Sequence, residues 1–189
     1  MESQYYRTFI AAPLHVEGQF LQARQDLITV LKGERISWTN PDQYHVTLRF
    51  TGDTKLSDIK RIGSAMHANI HVPERTRLEL AELASFGPRK RPRVLWLGFE
   101  ETDFFDLLKA EVDRALALCG IPANEEPFRA HLTLGRVRSL QNLQEYYHTV
   151  EAMNQQFSGS VLFEKLVFFR SILGPRGPEY HVLDEIVFR

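Results

Sequence analysis

The sequence predicts an α+β fold in which two pseudo-symmetric antiparallel-sheet lobes with flanking helices enclose a central cleft. Strand-like and helix-like segments follow one another in the same order in both halves of the chain. Each half also contains one His-x-Thr-Leu strand, and His131 lies 86 positions after His45 in a chain of 189 residues. This offset is longer than the repeats of solenoid proteins. We therefore expect a single bilobal domain, 1–189, with pseudo-repeat halves of roughly 1–88 and 89–189.

The first half alternates strands, in which apolar and polar residues alternate, with helices, in which apolar residues recur at helical spacing. The predicted elements are a strand over 5–13, a helix over 16–31, a strand over 45–50, a helix over 56–66 and a strand over 76–86. Pro13 and Gly33 act as stop signals after the first strand and the first helix. We expect Thr54 or Ser57 near the start of the second helix.

The second half repeats the same order. The predicted elements are a strand over 93–99, a helix over 102–119, a strand over 130–137, a helix reaching about 157, and strands over 161–170 and 180–188. Gly120 closes the helix that precedes it, and Ser139 is the predicted cap of the next one. The turn-rich segment 174–178 separates the last two strands.

Composition and motifs exclude several classes of function. The net charge of −1 provides no global basic field, so any nucleic-acid contact must be local to a patch or cleft. Cys119 is the single cysteine, which excludes an intrachain disulfide and a cysteine-based zinc site. No signal peptide, membrane span, P-loop, dinucleotide fingerprint or zinc motif is present, so we expect a cytoplasmic protein without membrane contacts.

The two His-x-Thr strands carry the chemistry that the sequence suggests. Because side chains at i and i+2 of a strand share a face, His45 and Thr47 point the same way, and so do His131 and Thr133. If the lobes face each other, two imidazoles and two hydroxyls meet. One neutral and one protonated imidazole can serve as general base and general acid, and the hydroxyls can donate to phosphate oxygens. This set suits metal-independent hydrolysis of a phosphodiester.

One His-x-Thr strand alone would more often hold a structural histidine, whereas two copies at equivalent positions favour a catalytic pair. The remaining histidines have no matching partner in the repeat. Alternation places Arg49 on the same face as His45, and aromatic residues flank the two motifs, where one of them could stack on a base. These aromatic residues are Trp38, Phe50 and Phe128. The basic stretch 89–93 could contact nucleic-acid phosphates, although such runs are more often solvated loops.

Several segments resemble the 2H phosphoesterase superfamily, and within it the RNA 2',3'-cyclic phosphodiesterases, also called 2'-5' RNA ligase-like proteins. The likeness spans nearly the whole chain. It is carried by RTFIA at 7–11, HVTLRFTGD at 45–53, FGP at 86–88, RVLWLG at 93–98, FRAHLTLGR at 128–136 and the hairpin from Leu173 to Tyr180.

The resemblance implies an enzyme that hydrolyses RNA 2',3'-cyclic phosphate ends, with His45 and His131 as the catalytic pair. It implies that Thr47, Thr133 and Arg136 bind the substrate, with no metal and no cofactor. Because products of the family usually end in a 2'-phosphate, His131 is the expected base for water and His45 the expected acid to O3'. Strict alternation would turn Arg136 away from His131, but a bulge at Gly135 could re-aim it. The expected partner is RNA or an oligonucleotide with a cyclic phosphate end, bound by a monomer.

Alternatives share the same site. The chain could cleave 2'-5' linked oligonucleotides, ligate RNA by the reverse reaction, or open a small cyclic phosphate such as ADP-ribose 1'',2''-cyclic phosphate. A different class is an RNA-end-binding module that has lost turnover. The intact histidine and threonine in both motifs argue against that loss.

Overall fold

Two antiparallel sheets and four helices make up the computed structural model, which describes residues 4–124, 127–175 and 177–189. The strands are β1 (Tyr5–Pro13), β2 (Arg35–Trp38), β3 (His45–Lys55), β4 (Thr76–Phe86), β5 (Val94–Phe99), β6 (Leu132–Ser139), β7 (Ser160–Phe163), β8 (Lys165–Gly174) and β9 (Gly177–Val187). The helices are α1 (Gln19–Val30), α2 (Leu56–Asn69), α3 (Asp103–Leu118) and α4 (Leu143–Met153), with short 3-10 helices at Pro41–Gln43 and Asn154–Gln156. The predicted α+β fold with two antiparallel-sheet lobes is confirmed.

Each sheet combines strands from both halves of the sequence. The first sheet has the order β3-β1-β8-β9, and the second has the order β2-β6-β5-β4-β7. Helices α2 and α3 pack on each other and against β3, while α1 and α4 pack together beside the second sheet. The halves 1–88 and 89–189 therefore do not coincide with the two sheets, because β2, β4 and α1 join the second lobe and β8, β9 and α3 join the first.

One continuous apolar core joins the two lobes. Its fully buried members include Ile10 and Val46 from the first sheet, Leu97 and Leu132 from the second, and Phe105 from α3. Val46 and Leu132 are the residues between the histidine and the threonine of each motif. Because successive side chains of a strand point to opposite faces, burying these two aliphatic residues turns the motif histidines and threonines away from the core.

Two predicted boundaries were wrong. Ser139 lies in β6, and the side chain of Asn142 caps α4 by accepting from the Glu145 amide at 3.0 Å. The predicted strand 161–170 is two strands, β7 and β8, which belong to different sheets; both are apolar, so their pattern does not reveal the break at Glu164. Thr54 and Ser57 lie near the start of α2, as expected, but neither side chain caps it, and the buried Thr54 hydroxyl forms a hydrogen bond with Thr8 instead.

Candidate active site

His45 is the first residue of β3, and Tyr44 alone separates it from the 3-10 helix that ends at Gln43. Its Nδ1 lies 2.7 Å from the Gln43 carbonyl oxygen. Because a carbonyl oxygen can only accept, this contact assigns the proton of the neutral ring to Nδ1. The Nε2 atom is then the nitrogen that can accept a proton, or donate one once the ring is charged.

His131 repeats this arrangement in the second lobe. Its Nδ1 lies 2.8 Å from the carbonyl oxygen of Arg129, again two residues upstream. His131 itself stands one residue before β6, so the predicted strand begins slightly later than expected. Both histidines are therefore held in the same tautomer by the same local geometry, which leaves both Nε2 atoms available for proton transfer.

Aromatic rings support His45 on the concave face of the first sheet. The rings of Phe9 and Tyr180 have centroids 5.2 and 5.3 Å from that of His45, and Phe169 lies 6.5 Å away. Tyr180 belongs to β9, the opposite edge of this sheet from β3, and the Gln43 side-chain amide donates to the Pro178 carbonyl at 2.9 Å. The sheet thus curls until its two edges meet beside His45.

His131 has a matching support in the second sheet. Its ring meets the edge of Phe86 at 4.8 Å and lies 6.1 Å from the ring of Trp96. The Arg129 guanidinium sits 4.6 Å from the centroid of the Trp96 ring and forms an ion pair with Glu82. These contacts anchor the residue whose carbonyl holds the His131 Nδ1.

The charge of His131 acts on the ring of His45, so the two histidines lie within electrostatic reach of each other. Burial lowers the pKa of His45, and the positive charges of His131 and Arg136 lower it further, while the Gln43 carbonyl opposes the shift. Burial likewise lowers the pKa of His131, which Arg136 and Arg129 reinforce and the Arg129 carbonyl opposes. Strands β3 and β6 are in contact and Arg136 acts on both rings, so the two motifs lie around one cleft.

Two equivalent β-bulges decide which other side chains enter this site. In β3, the neighbours Ile10 and Ala11 pair with Arg49 and Thr47, so Leu48 is the extra residue. In β6, Leu134 is the extra residue, 86 positions later, opposite Leu95 and Trp96 of β5. A bulge reverses the alternation that follows it.

The β6 bulge turns Arg136 onto the face of His131 and Thr133, as the hypothesis of a bulge beside Gly135 required. The Arg136 side chain is exposed and lowers the pKa of both histidines. Gly135 is needed for this packing, because a Cβ there would lie 2.8 Å from Ile36 of β2.

The β3 bulge has the opposite consequence for Arg49, and the prediction that Arg49 shares a face with His45 was wrong. Arg49 is buried against α3, with its guanidinium 3.3 Å from the Asp113 carboxylate and hydrogen-bonded to the Pro122 carbonyl. Phe50 takes the place on the cleft face, 64% exposed, with its ring 6.0 Å from Phe9. Phe50 is thus the counterpart of Arg136 in the pseudo-repeat.

The hydroxyls of Thr47 and Thr133 stand two residues after the histidines, on the same faces. Neither makes a hydrogen bond to the described part of the chain, so both can donate to a ligand.

Within residues 4–124, 127–175 and 177–189, no group of three or more His, Cys, Asp or Glu side chains could hold a metal ion. The stretch 89–93 lies in the turn before β5, with Arg89, Lys90, Arg91 and Arg93 exposed.

Sequence reasoning missed several residues of the site. Tyr180, Phe9 and Phe169 approach His45 only because the first sheet curls, which no local pattern reveals. The two carbonyls that accept from the histidines could have been found from the sequence, since Gln43 and Arg129 each lie two residues before a motif histidine. The short edge strand β2, in which Ser37 pairs with Arg136 of β6, was also missed.

A phosphoesterase needs groups that transfer protons and groups that donate to phosphate oxygens. Around this cleft, two imidazoles can transfer protons, and two hydroxyls and one guanidinium can donate. The chain belongs to the LigT-like phosphoesterase family, whose model matches residues 10–96 and 100–180. It is 32% identical over 146 residues to an RNA 2',3'-cyclic phosphodiesterase of Aeropyrum pernix, covering 77% of this chain and 82% of that one. It is 29% identical over 183 residues to the Thermotoga maritima protein of the same name, covering 96% and 95%.

Solved structures show the same fold. A protein of Thermus thermophilus aligns with a TM-score of 0.71 at 23% identity, over 97% of this chain and 98% of that one. Escherichia coli LigT in complex with 3'-AMP aligns with a TM-score of 0.67 at 17% identity, over 98% and 99%. The resemblance to the 2H phosphoesterases is therefore confirmed for the family and for the fold. Among the described residues, no helix is long and apolar enough to cross a membrane.

Proposed function

We propose that this phosphoesterase hydrolyses 2',3'-cyclic phosphate ends of RNA to 2'-phosphates, with His45 and His131 as an acid–base pair. The convergence of two imidazoles with identical Nδ1 anchoring carries this proposal. The names of the curated relatives and the 3'-AMP complex of Escherichia coli LigT support the substrate class. All of these groups come from one chain, so a monomeric single domain suffices, and we propose that it acts in the cytoplasm.

In the proposed reaction, neutral His131 takes a proton from water at Nε2 as the water oxygen bonds to phosphorus. The bond between phosphorus and O3' breaks, and protonated His45 delivers its Nε2 proton to O3'. His131 makes the more exposed of the two carbonyl contacts, which favours its access to water. Thr47, Thr133 and Arg136 would bind the non-bridging oxygens, where negative charge increases in the transition state.

The lowered pKa values of the histidines predict an acidic optimum for kcat/KM. The reaction requires one neutral and one protonated ring, so a fall in both pKa values moves the bell-shaped profile below the ordinary histidine pKa of about 6.5. The profile of kcat should lie at higher pH, because bound phosphate stabilises the imidazolium forms. Steady-state rates across the acidic and neutral pH range test this, and a kcat/KM optimum well on the alkaline side of neutrality would contradict it.

Phe50 is the aromatic residue best placed to stack on the terminal base. Trp38 and Phe128 pack partly against the core, whereas Phe50 is exposed on the cleft face. Since base stacking is worth ~1–3 kcal/mol, Phe50→Ala should raise KM by about 5- to 150-fold with little change in kcat. Leu107→Ala, at an equally exposed position on α3, is the control. Equal KM values for Phe50→Ala and wild type would exclude stacking there.

The product of hydrolysis tests the function itself. An oligonucleotide ending in a 2',3'-cyclic phosphate is incubated with the purified protein in EDTA, and the terminal phosphate is identified by phosphorus NMR. We expect complete conversion to a 2'-phosphate. A 3'-phosphate product would reverse the assignment of the leaving group, and a strict requirement for added metal would contradict the two-histidine mechanism. Binding without turnover would favour the non-catalytic module.

A further inference from the structure

We propose that Arg7, Ser171 and Tyr180 form a second phosphate subsite, which holds the phosphodiester preceding the terminal nucleotide of the RNA. The inference rests on the proposed function and narrows its substrate class. An oligonucleotide end would be preferred over a cyclic mononucleotide, because only the oligonucleotide carries this second phosphate group.

The three side chains form a row across the first sheet. Arg7 of β1 lies directly opposite Ser171 of β8, and Ser171 lies directly opposite Tyr180 of β9. Directly opposite residues of antiparallel strands point to the same face with closely spaced Cβ atoms. Phe9, two residues after Arg7 on β1, shares that face. The row therefore lies on the concave face that carries His45.

This row begins at the candidate active site. The Tyr180 ring lies 5.3 Å from the His45 ring and 5.0 Å from the Phe9 ring. Burial raises the pKa of the Tyr180 phenol overall, while the charges of Arg136 and Arg7 both act to lower it. Tyr180 lies beside His45 and within electrostatic reach of both Arg7 and Arg136, the arginine proposed to bind the scissile phosphate. An RNA chain that leaves the site past Tyr180 would reach Ser171 and then Arg7 along the row.

The row presents hydrogen-bond donors that the described part of the chain does not use. A guanidinium and two hydroxyls suit a phosphate anion, and none of their polar side-chain atoms has a hydrogen bond or ion pair to residues 4–124, 127–175 or 177–189. Asp53 of β3 is paired with Arg7 on the other side of β1, but the two side chains form no ion pair. Arg7 is exposed, in a protein of net charge −1.

A comparison of three substrates isolates the contribution of the second phosphate to binding. They are adenosine 2',3'-cyclic phosphate, the dinucleotide ApA with a 2',3'-cyclic phosphate end, and the same dinucleotide with an uncharged methylphosphonate linkage. Arg7→Gln should raise KM for the charged dinucleotide by about tenfold, the loss of one charge-assisted hydrogen bond. The other two substrates should be hydrolysed by Arg7→Gln with wild-type KM. Salt should also weaken binding of the charged dinucleotide less in the variant, by ~0.7 in the logarithmic slope.

Two further variants separate this role from folding and from general electrostatics. Arg114→Gln removes the same charge from an exposed position on α3 and should leave all three KM values unchanged. Tyr180→Phe keeps the ring against His45 but removes the hydroxyl, and should raise KM for the charged dinucleotide more than for the other two substrates. An equal rise in the KM of Arg7→Gln for all three substrates, or an unchanged KM for the charged dinucleotide, would contradict the proposed subsite. If wild type hydrolyses none of the three, the proposed function itself fails instead.

Discussion

His45→Ala and His131→Ala are each expected to lower kcat for a cyclic phosphate end by ~10²–10⁴-fold, the usual contribution of a general acid or base. KM should change less than kcat, because the threonines, Arg136 and the aromatic contacts are proposed to bind the substrate alongside the histidines. The double variant should be scarcely slower than the worse single variant, since the two groups act in one transition state. Single-turnover rates of the three variants measure this.

The control is His148→Ala, which removes an exposed histidine from α4 and should retain the wild-type rate. Circular dichroism and thermal melting of each variant establish that the fold survives. A loss of less than about tenfold in either active-site variant, with the fold intact, would remove that histidine from the mechanism.

A substrate with a better leaving group separates the two roles. p-Nitrophenolate departs from a phosphodiester without needing a proton, so His45→Ala should lose much less activity on a p-nitrophenyl phosphodiester than on a cyclic phosphate. His131→Ala should remain impaired on both, because water must still be deprotonated. The opposite pattern would exchange the acid and base assignments between the two histidines.

Arg136→Gln is expected to lower kcat by ~10²–10³-fold, the range found when a donor to developing negative charge is removed. It should also move the kcat/KM profile to higher pH. The sign follows from the charge: Arg136 lowers the pKa of both histidines, so its removal lets both pKa values rise. Rates across the pH range give both results from one set of measurements.

Arg136→Lys separates charge from geometry. Lysine keeps the positive charge, so the pH profile should stay near that of wild type, but it lacks the planar fork that binds two phosphate oxygens, so kcat should remain reduced. Arg114→Gln again controls for net charge. An unchanged kcat and an unmoved profile in Arg136→Gln would place this side chain outside the site.

Much of the fold could be predicted because its signals are local. The strand that ends at Pro13, the helix closed by Gly120 and the alternation around Val46 and Leu132 each follow from short-range pattern. The division of 161–170 into β7 and β8 could not be predicted, since both strands are apolar and only their pairing with different sheets separates them. The contribution of β2 and β4 to the second sheet, and of β8 and β9 to the first, likewise depends on long-range pairing.

The sequence by itself determined the residue types of the candidate site. Two His-x-Thr strands at an 86-residue offset specify paired imidazoles and hydroxyls wherever the chain folds them together. Only the tertiary structure decided what surrounds them. The bulges at Leu48 and Leu134 bring Phe50 and Arg136 onto the cleft faces, because one extra residue reverses the alternation of a strand. The curl of the first sheet places Tyr180 beside His45, since β3 and β9 are its two edges and meet only through twist.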